Sequence, residues 1–171
     1  MIKMHPLVDL AVKAVNTFVK EGNTISPPAI LSDEMRGKAG VFVSLHKGES
    51  LRGCIGTTAA TRANVAEEII VNAISAATRD PRFPPVTKDE LPGLTVKVDV
   101  LGGHEKIDDI SQLDAKKYGV IVVSGGKKGL LLPDLEGVST PEQQIEICKK
   151  KAWISEGEPL ELYRFQVKRY H

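Results

Sequence analysis

Apolar residues at Leu7, Leu10, Ala11, Ala14, Val15 and Phe18 recur at the spacing of one helix face. An amphipathic helix is therefore predicted between Pro6, suited to a first turn, and Gly22, suited to a stop. Ser26-Pro27-Pro28 cannot continue it, because proline lacks the amide donor and turns the preceding residue towards extended backbone. A loop with a short helical turn is expected there. Val41 to His46 and Leu51 to Thr57 then read as strands joined through Lys47-Gly48-Glu49-Ser50, an antiparallel hairpin. From Asn64, with Glu67 three residues on as in a capping box, Val65, Ala66, Ile69, Ile70, Ala73, Ile74, Ala76 and Ala77 populate nearly every face of a second helix. That helix should be deeply buried and should end near Asp80, before Pro81.

Leu94, Val96, Val98 and Val100 alternate with Thr95, Lys97 and Asp99, the period-two pattern of a strand with one buried face. Tyr118 to Ser124 and Gly129 to Leu132, across Gly125-Gly126-Lys127-Lys128, predict a second hairpin. Thr140-Pro141-Glu142-Gln143 joins an N-cap, a first-turn proline and a capping-box glutamine, so a helix through about Lys151 is expected, with Ile145, Cys148 and Ala152 on its apolar face. Leu160 to Tyr170, rich in branched and aromatic residues, reads as one final strand. Hairpins interrupted by three long helices, without regular βαβ alternation, predict an α+β fold with a mainly antiparallel sheet; a doubly wound parallel sheet is the alternative.

With 171 residues, 42% of them hydrophobic, the chain can build one substantial core without a disulfide or structural metal. A single domain over residues 1–171 is expected, with two lobes around one core as a variant. Lys plus Arg number 23 against 22 Asp plus Glu, a net charge of +1 that offers no general attraction to phosphate backbones, so nucleic-acid binding is not expected. Met1 to Pro6 leads straight into the first helix without the apolar stretch and cleavage site of a leader, and no apolar run reaches the roughly 18 to 20 residues of a membrane span. Cys54 and Cys148 are far apart and form neither a disulfide framework nor a CxxC pair. A cytoplasmic protein without a membrane segment follows as the expectation.

The densest chemistry lies in Leu51-Arg52-Gly53-Cys54-Ile55-Gly56. Cys54 is the one nucleophile in that run, and Arg52 is a cation that would favour its thiolate. If the hairpin pairs His46 with Leu51, Cys54 falls opposite Val43, Arg52 and Cys54 share a face, and His46 takes the other; one β-bulge would reverse that parity. The structural alternative is a small buried cysteine between glycines that allow close packing. Gly53 and Gly56 invite either close approach of a ligand or a bulge. Thr57, leading towards the Asn64 helix, could offer its hydroxyl to an anion or serve in ordinary capping. Arg79-Asp80-Pro81-Arg82 sets two arginine forks beside a rigid proline, fit for a carboxylate or phosphate, or else for an internal ion pair through Asp80. Lys149-Lys150-Lys151 reads as the wet face of its helix. His104-Glu105 lacks the second histidine of a zinc motif, so no metal is expected, and no cofactor either.

The six residues Leu51 to Gly56 resemble the hallmark of the AMMECR1 family. In the same order, further segments are similar to it: Asn72 to Ala77, Asp80 to Val86, Gly119 to Val123, Gly129 to Pro133 and Cys148 to Ala152. Val100-Leu101-Gly102-Gly103-His104 departs from the family, which usually has a Ser-Pro segment there. The resemblance implies an α+β fold of a larger and a smaller lobe, an activity that is not established, and, in prokaryotes, Memo-like and radical-SAM protein partners. The combined expectation is a site for a small anionic or carbonyl-bearing ligand at Arg52, Cys54 and the Arg79 to Arg82 corner, with Gly53, Gly56 and Thr57 lining it. If the protein is an enzyme, Cys54 is the nucleophile and Arg52 its activator. The alternatives are a non-catalytic adaptor for those partners and, more weakly, a role with nucleic acid.

Overall fold

The computed structural model describes residues 3–171; Met1 and Ile2, the start of the segment read for a leader, lie outside them. The chain forms two compact units, one from residues 1–101 with 168–171 and one from residues 102–167.

In the first unit α1 (Pro6–Glu21) starts where His5 accepts the Leu7 amide and ends on Gly22, whose left-handed backbone returns its N–H to Phe18. A single helical turn, α2 (Asp33–Arg36), follows the proline loop. The hairpin β1 (Val41–Lys47) and β2 (Ser50–Gly56) closes through Gly48, itself at positive φ, and α3 (Val65–Thr78) begins on Asn64, which accepts the Glu67 amide. β3 (Leu94–Leu101) and a last short strand complete a sheet ordered β2, β1, β3 and that strand, with β2 on the edge; β1 runs antiparallel to both its neighbours. Val41, Val43 and Leu45 join residues of α1 and α3 such as Leu7, Ala11, Ile69 and Ala73 in one core. β1 thus turns its apolar side to the helices and Phe42, Ser44 and His46 to the opposite face.

The hairpin register differs from the expected one. His46 does face Leu51, but Leu45 faces Gly53 and Ser44 faces Cys54, so Arg52 is the extra residue of a β-bulge. The cause is what the regular register would bury: Arg52 opposite Leu45 would point into the core beside α3, an unpaired charge in apolar surroundings. The bulge expels Arg52 and brings Gly53 to the helix, where a Cβ would collide with the Ala76 carbonyl. Cys54, Ser44 and His46 consequently share the face turned away from the helices.

The second unit has β4 (Glu105–Ile107), β5 (Gly119–Ser124), β6 (Lys127–Leu131), α4 (Pro141–Ala152) and β7 (Glu161–Phe165). Its sheet is ordered β4, β7, β5, β6, with antiparallel pairing throughout, so the α+β reading holds and the doubly wound parallel alternative does not. Val120, Val122, Leu131 and Cys148 centre its core. The capping box at Thr140 and Gln143 forms as expected. The final strand does not run unbroken. After β7 the chain leaves the ladder at Gln166, whose carbonyl accepts the Gly102 amide, and continues as β8 (Val167–Tyr170) in the first unit's sheet. No helix of the described residues is long and apolar enough to cross a membrane.

Candidate functional site

Because β2 is an edge strand, the outer side of its backbone faces no further strand. Asp80 and Arg82 supply the missing ladder. Asp80 Oδ2 accepts the Cys54 N–H at 2.9 Å, and Arg82 Nη2 donates to the Cys54 carbonyl at 3.4 Å. The two side chains also hold each other, Arg82 Nε and Nη2 donating to the two Asp80 oxygens at 3.0 and 2.7 Å. Those Arg82 bonds, helped by the Cys54 and Arg82 amides, hold the nearly buried Asp80 carboxyl well below the usual carboxylate range against the opposing pull of burial. Arg82 is raised in turn, mainly by Asp80, with negative charge on Cys54 adding to it. The corner expected as Cys54's neighbour is therefore there, as an ion pair bonded to its backbone.

Arg52, carried out of the ladder by the bulge, is clamped by Glu90: Nε donates to Oε1 at 2.8 Å and Nη2 to Oε2 at 3.1 Å. Lys47 meets the same carboxylate at 2.8 Å. These bonds and the Thr87 amide keep Glu90 well below its ordinary pKa. The guanidinium lies 5.9 Å from the Phe83 ring, which Arg82 also approaches at 5.4 Å. Arg52 Nη1 is buried with no hydrogen-bond partner among the described residues.

On the face away from the helices a row of chemically capable side chains crosses three strands, Cys54 of β2 opposite Ser44 of β1, and Ser44 opposite Lys97 of β3. His46 Nε2 lies 3.0 Å from Ser44 Oγ. Beside them Arg169 of β8 grips the buried Asp99 with two bonds of 2.7 and 3.1 Å. Partial burial, Lys97 and Arg169 push the His46 pKa down, with Asp99 opposing, so the imidazole is neutral near pH 7. A half-buried thiol, a hydroxyl, a neutral imidazole and an ammonium are together a set that can bind an anion and move a proton.

Gly53 and Gly56 are present for packing: a Cβ on Gly56 would strike the Phe42 ring. Thr57 is committed to the fold. Its hydroxyl donates to Glu68 and accepts from Asn72, while Glu68, buried in α3, also takes Thr61 Oγ1 and the Thr61 and Arg62 amides. Arg79 stands exposed at the C-cap of α3, away from the bonds that Asp80 and Arg82 make. His5 stacks on Tyr170, and His104 lies against Phe165 in the second unit.

The sequence reading missed Glu90, Ser44 and Lys97. Thr87-x-x-Glu90 is a capping box and forms one, so the short helical turn was visible; its second duty on Arg52 is nonlocal. Ser44 and Lys97 gave only strand alternation. Cys148 is fully buried and burial pushes its thiol up to about 11, a core residue. Lys149 is buried, not on the wet face expected of it, and pairs with Glu146 and Glu156, while Lys127 pairs with Glu158. Among the described residues no three His, Cys, Asp or Glu stand close enough to share a metal ion.

A family model described as AMMECR1 matches residues 8–170. A protein of Thermotoga maritima is 53% identical over 173 residues, with 99% of each chain covered. One from Clostridium acetobutylicum is 49% identical over 96% of this chain, which spans only 36% of that longer protein. The crystal structure of an uncharacterised protein from Pyrococcus horikoshii matches with a TM-score of 0.86 at 33% identity, covering 95% of this chain and 88% of that one.

Proposed function

Because the chain belongs to the AMMECR1 family, whose hallmark the Leu51 to Gly56 run resembles, we propose that the sheet face bearing Cys54 is a site for a small anionic or carbonyl-bearing ligand, with the Cys54 thiol as nucleophile. The observation that supports this reading is the treatment of Cys54 itself. Its backbone is pinned by Asp80 and Arg82 while its side chain, half-buried, stands on the polar face, and the other cysteine is sealed in a core. Positive charge at Arg82 favours a thiolate there. Arg52 is not a free anion-binding fork in this reading, since Glu90 holds its Nε and Nη2; it secures the bulge that turns Cys54 outwards. A reducing cytoplasm suits such a thiol.

Maleimide labelling of the folded protein, read by peptide mass spectrometry, tests it. Cys54 should label far faster than Cys148, and excess pyruvate, both anionic and carbonyl-bearing, should slow it. A Cys54 that stays unlabelled until the protein unfolds would sink the nucleophile, and labelling indifferent to pyruvate would sink the ligand class.

The second reading, a module working beside another protein, is favoured by the clostridial relative, in which the matching segment is about a third of a longer chain. Mixing the purified protein with a Memo-like or a radical-SAM protein should give co-elution in size-exclusion chromatography. Independent elution of both counts against it.

A further inference from the structure

We propose that Ser44 and His46 are the proton-accepting pair of the Cys54 thiol, with the Ser44 hydroxyl between sulfur and imidazole, and that Lys97 receives the acidic group of an acyl-bearing substrate. The proposal rests on the reading of Cys54 as nucleophile and adds its base and its substrate class.

The bulge at Arg52 makes this arrangement. Without it Cys54 would lie opposite Val43 and face the core; with it Cys54 is the cross-strand neighbour of Ser44, in a position where side chains stand about 4.5–5.5 Å apart at Cβ. Ser44 already holds a hydrogen bond to His46 Nε2 at 3.0 Å. A hydroxyl donates one proton and accepts another, so Ser44 can take the thiol hydrogen bond while donating to an unprotonated Nε2. Lys97 continues the row on the far side of Ser44. The charged and titratable groups around His46 are Cys54 of β2, Lys97 and Asp99 of β3 and Arg169 of β8. Asp99 is engaged by Arg169, so the field at the row is positive. Partial burial together with that field keeps His46 unprotonated and ready to accept, and the field favours negative charge on sulfur.

The chemistry balances with these groups alone. The sulfur lone pair attacks a carbonyl carbon, the carbonyl π pair moves to oxygen, and the thiol proton passes to Ser44 Oγ as the Ser44 proton passes to His46 Nε2. On collapse the oxygen pair re-forms the carbonyl, and the leaving group departs with its bonding pair and takes the proton from His46. A thioester on Cys54 remains for transfer to water or an amine, so the class is acyl transfer from an anionic acyl compound.

Alkylation of Cys54 in the full chain, with iodoacetamide as the neutral probe and iodoacetate as the anionic one, separates the roles. Rates across pH are compared for wild type, Ser44→Ala, His46→Gln and Lys97→Met, with circular dichroism confirming that each is folded. His46→Gln should slow alkylation about tenfold near pH 7 and move the midpoint towards the ordinary thiol value of about 8.5, with Ser44→Ala moving it the same way. Lys97→Met should lower the iodoacetate-to-iodoacetamide rate ratio several-fold. Unchanged midpoints in both Ser44→Ala and His46→Gln overturn the proton relay while a reactive Cys54 keeps the site. An unchanged ratio in Lys97→Met overturns the substrate class, and an inert wild-type Cys54 overturns relay and nucleophile together.

Discussion

At the residue scale, the glycines beside Cys54 serve the packing of the strand that carries it. A methyl group on Gly53 would meet the backbone carbonyl of Ala76, and backbone cannot swing aside; on Gly56 it would meet the root of the Phe42 ring, which clears only if that half-exposed side chain changes rotamer. Gly53→Ala should therefore cost about 1–3 kcal/mol in urea unfolding, the usual penalty for overpacking, and Gly56→Ala clearly less. Equal losses would contradict this division. Glu68 is the other residue whose neighbours dictate a result. Its two oxygens take two hydroxyl and two amide donors, which hold it below its usual pKa although burial alone would raise it. In Glu68→Gln one oxygen becomes an NH2 with hydroxyls or amides pointing at it. A loss of about 1–3 kcal/mol is expected, read as a lower thermal midpoint. An unchanged midpoint would mean that the Thr57 to Arg62 loop is not held through this carboxylate.

At the element scale, the Asp80–Arg82 pair closes the open edge of β2, and this predicts a pH dependence. Asp80, ordinarily at 3.8, and Glu90, ordinarily at 4.5, are both depressed in the folded protein. A depressed carboxylate contributes stability above its unfolded pKa and loses it as pH falls towards the folded value. Stability should thus fall as pH drops below about 4.5, and Asp80→Asn, weaker near pH 7, should converge on wild type as the solution is acidified. Parallel urea midpoints from pH 7 to pH 3 would exclude Asp80 as a source of acid lability. The hairpins and three long helices could be read from periodicity, proline and capping residues, because those signals are local. The bulge could not be placed, since it answers to what α3 lays across the strand, and the division of the last strand at Gln166 answers to two different sheets competing for one continuous apolar pattern. The same limit applies to the site. Cys54 and the Asp80–Arg82 corner announced themselves by residue type. Ser44, Lys97 and Glu90 look ordinary in the chain and gain meaning only from strand register and a side chain that reaches across the sheet edge.

At the scale of the whole molecule, the first unit is completed by residues 168–171, which return to it only after the entire second unit has been traversed. Its sheet therefore depends on a contact of long sequence separation, slow to form because the loop must close before the pairing can reward it. The contact has a charged anchor. Asp99 is almost buried, and Arg169 grips both of its oxygens from β8. Replacing Arg169 by Met keeps an unbranched apolar stem but leaves a buried carboxylate without that partner, a loss of about 1.5–3 kcal/mol for hydrogen bonds to a charged group. Hydrogen exchange should locate the effect. Amides of β3 and β1 should exchange faster in Arg169→Met, because the strand beyond them is loosened, whereas β5 and β7, in a unit with its own core around Val120 and Val122, should keep their protection. Uniform loss of protection across both sheets would show instead that the two units open as one cooperative body. Unchanged protection in β3 would show that β8 is held by its backbone pairing and that the Asp99–Arg169 pair adds nothing to it.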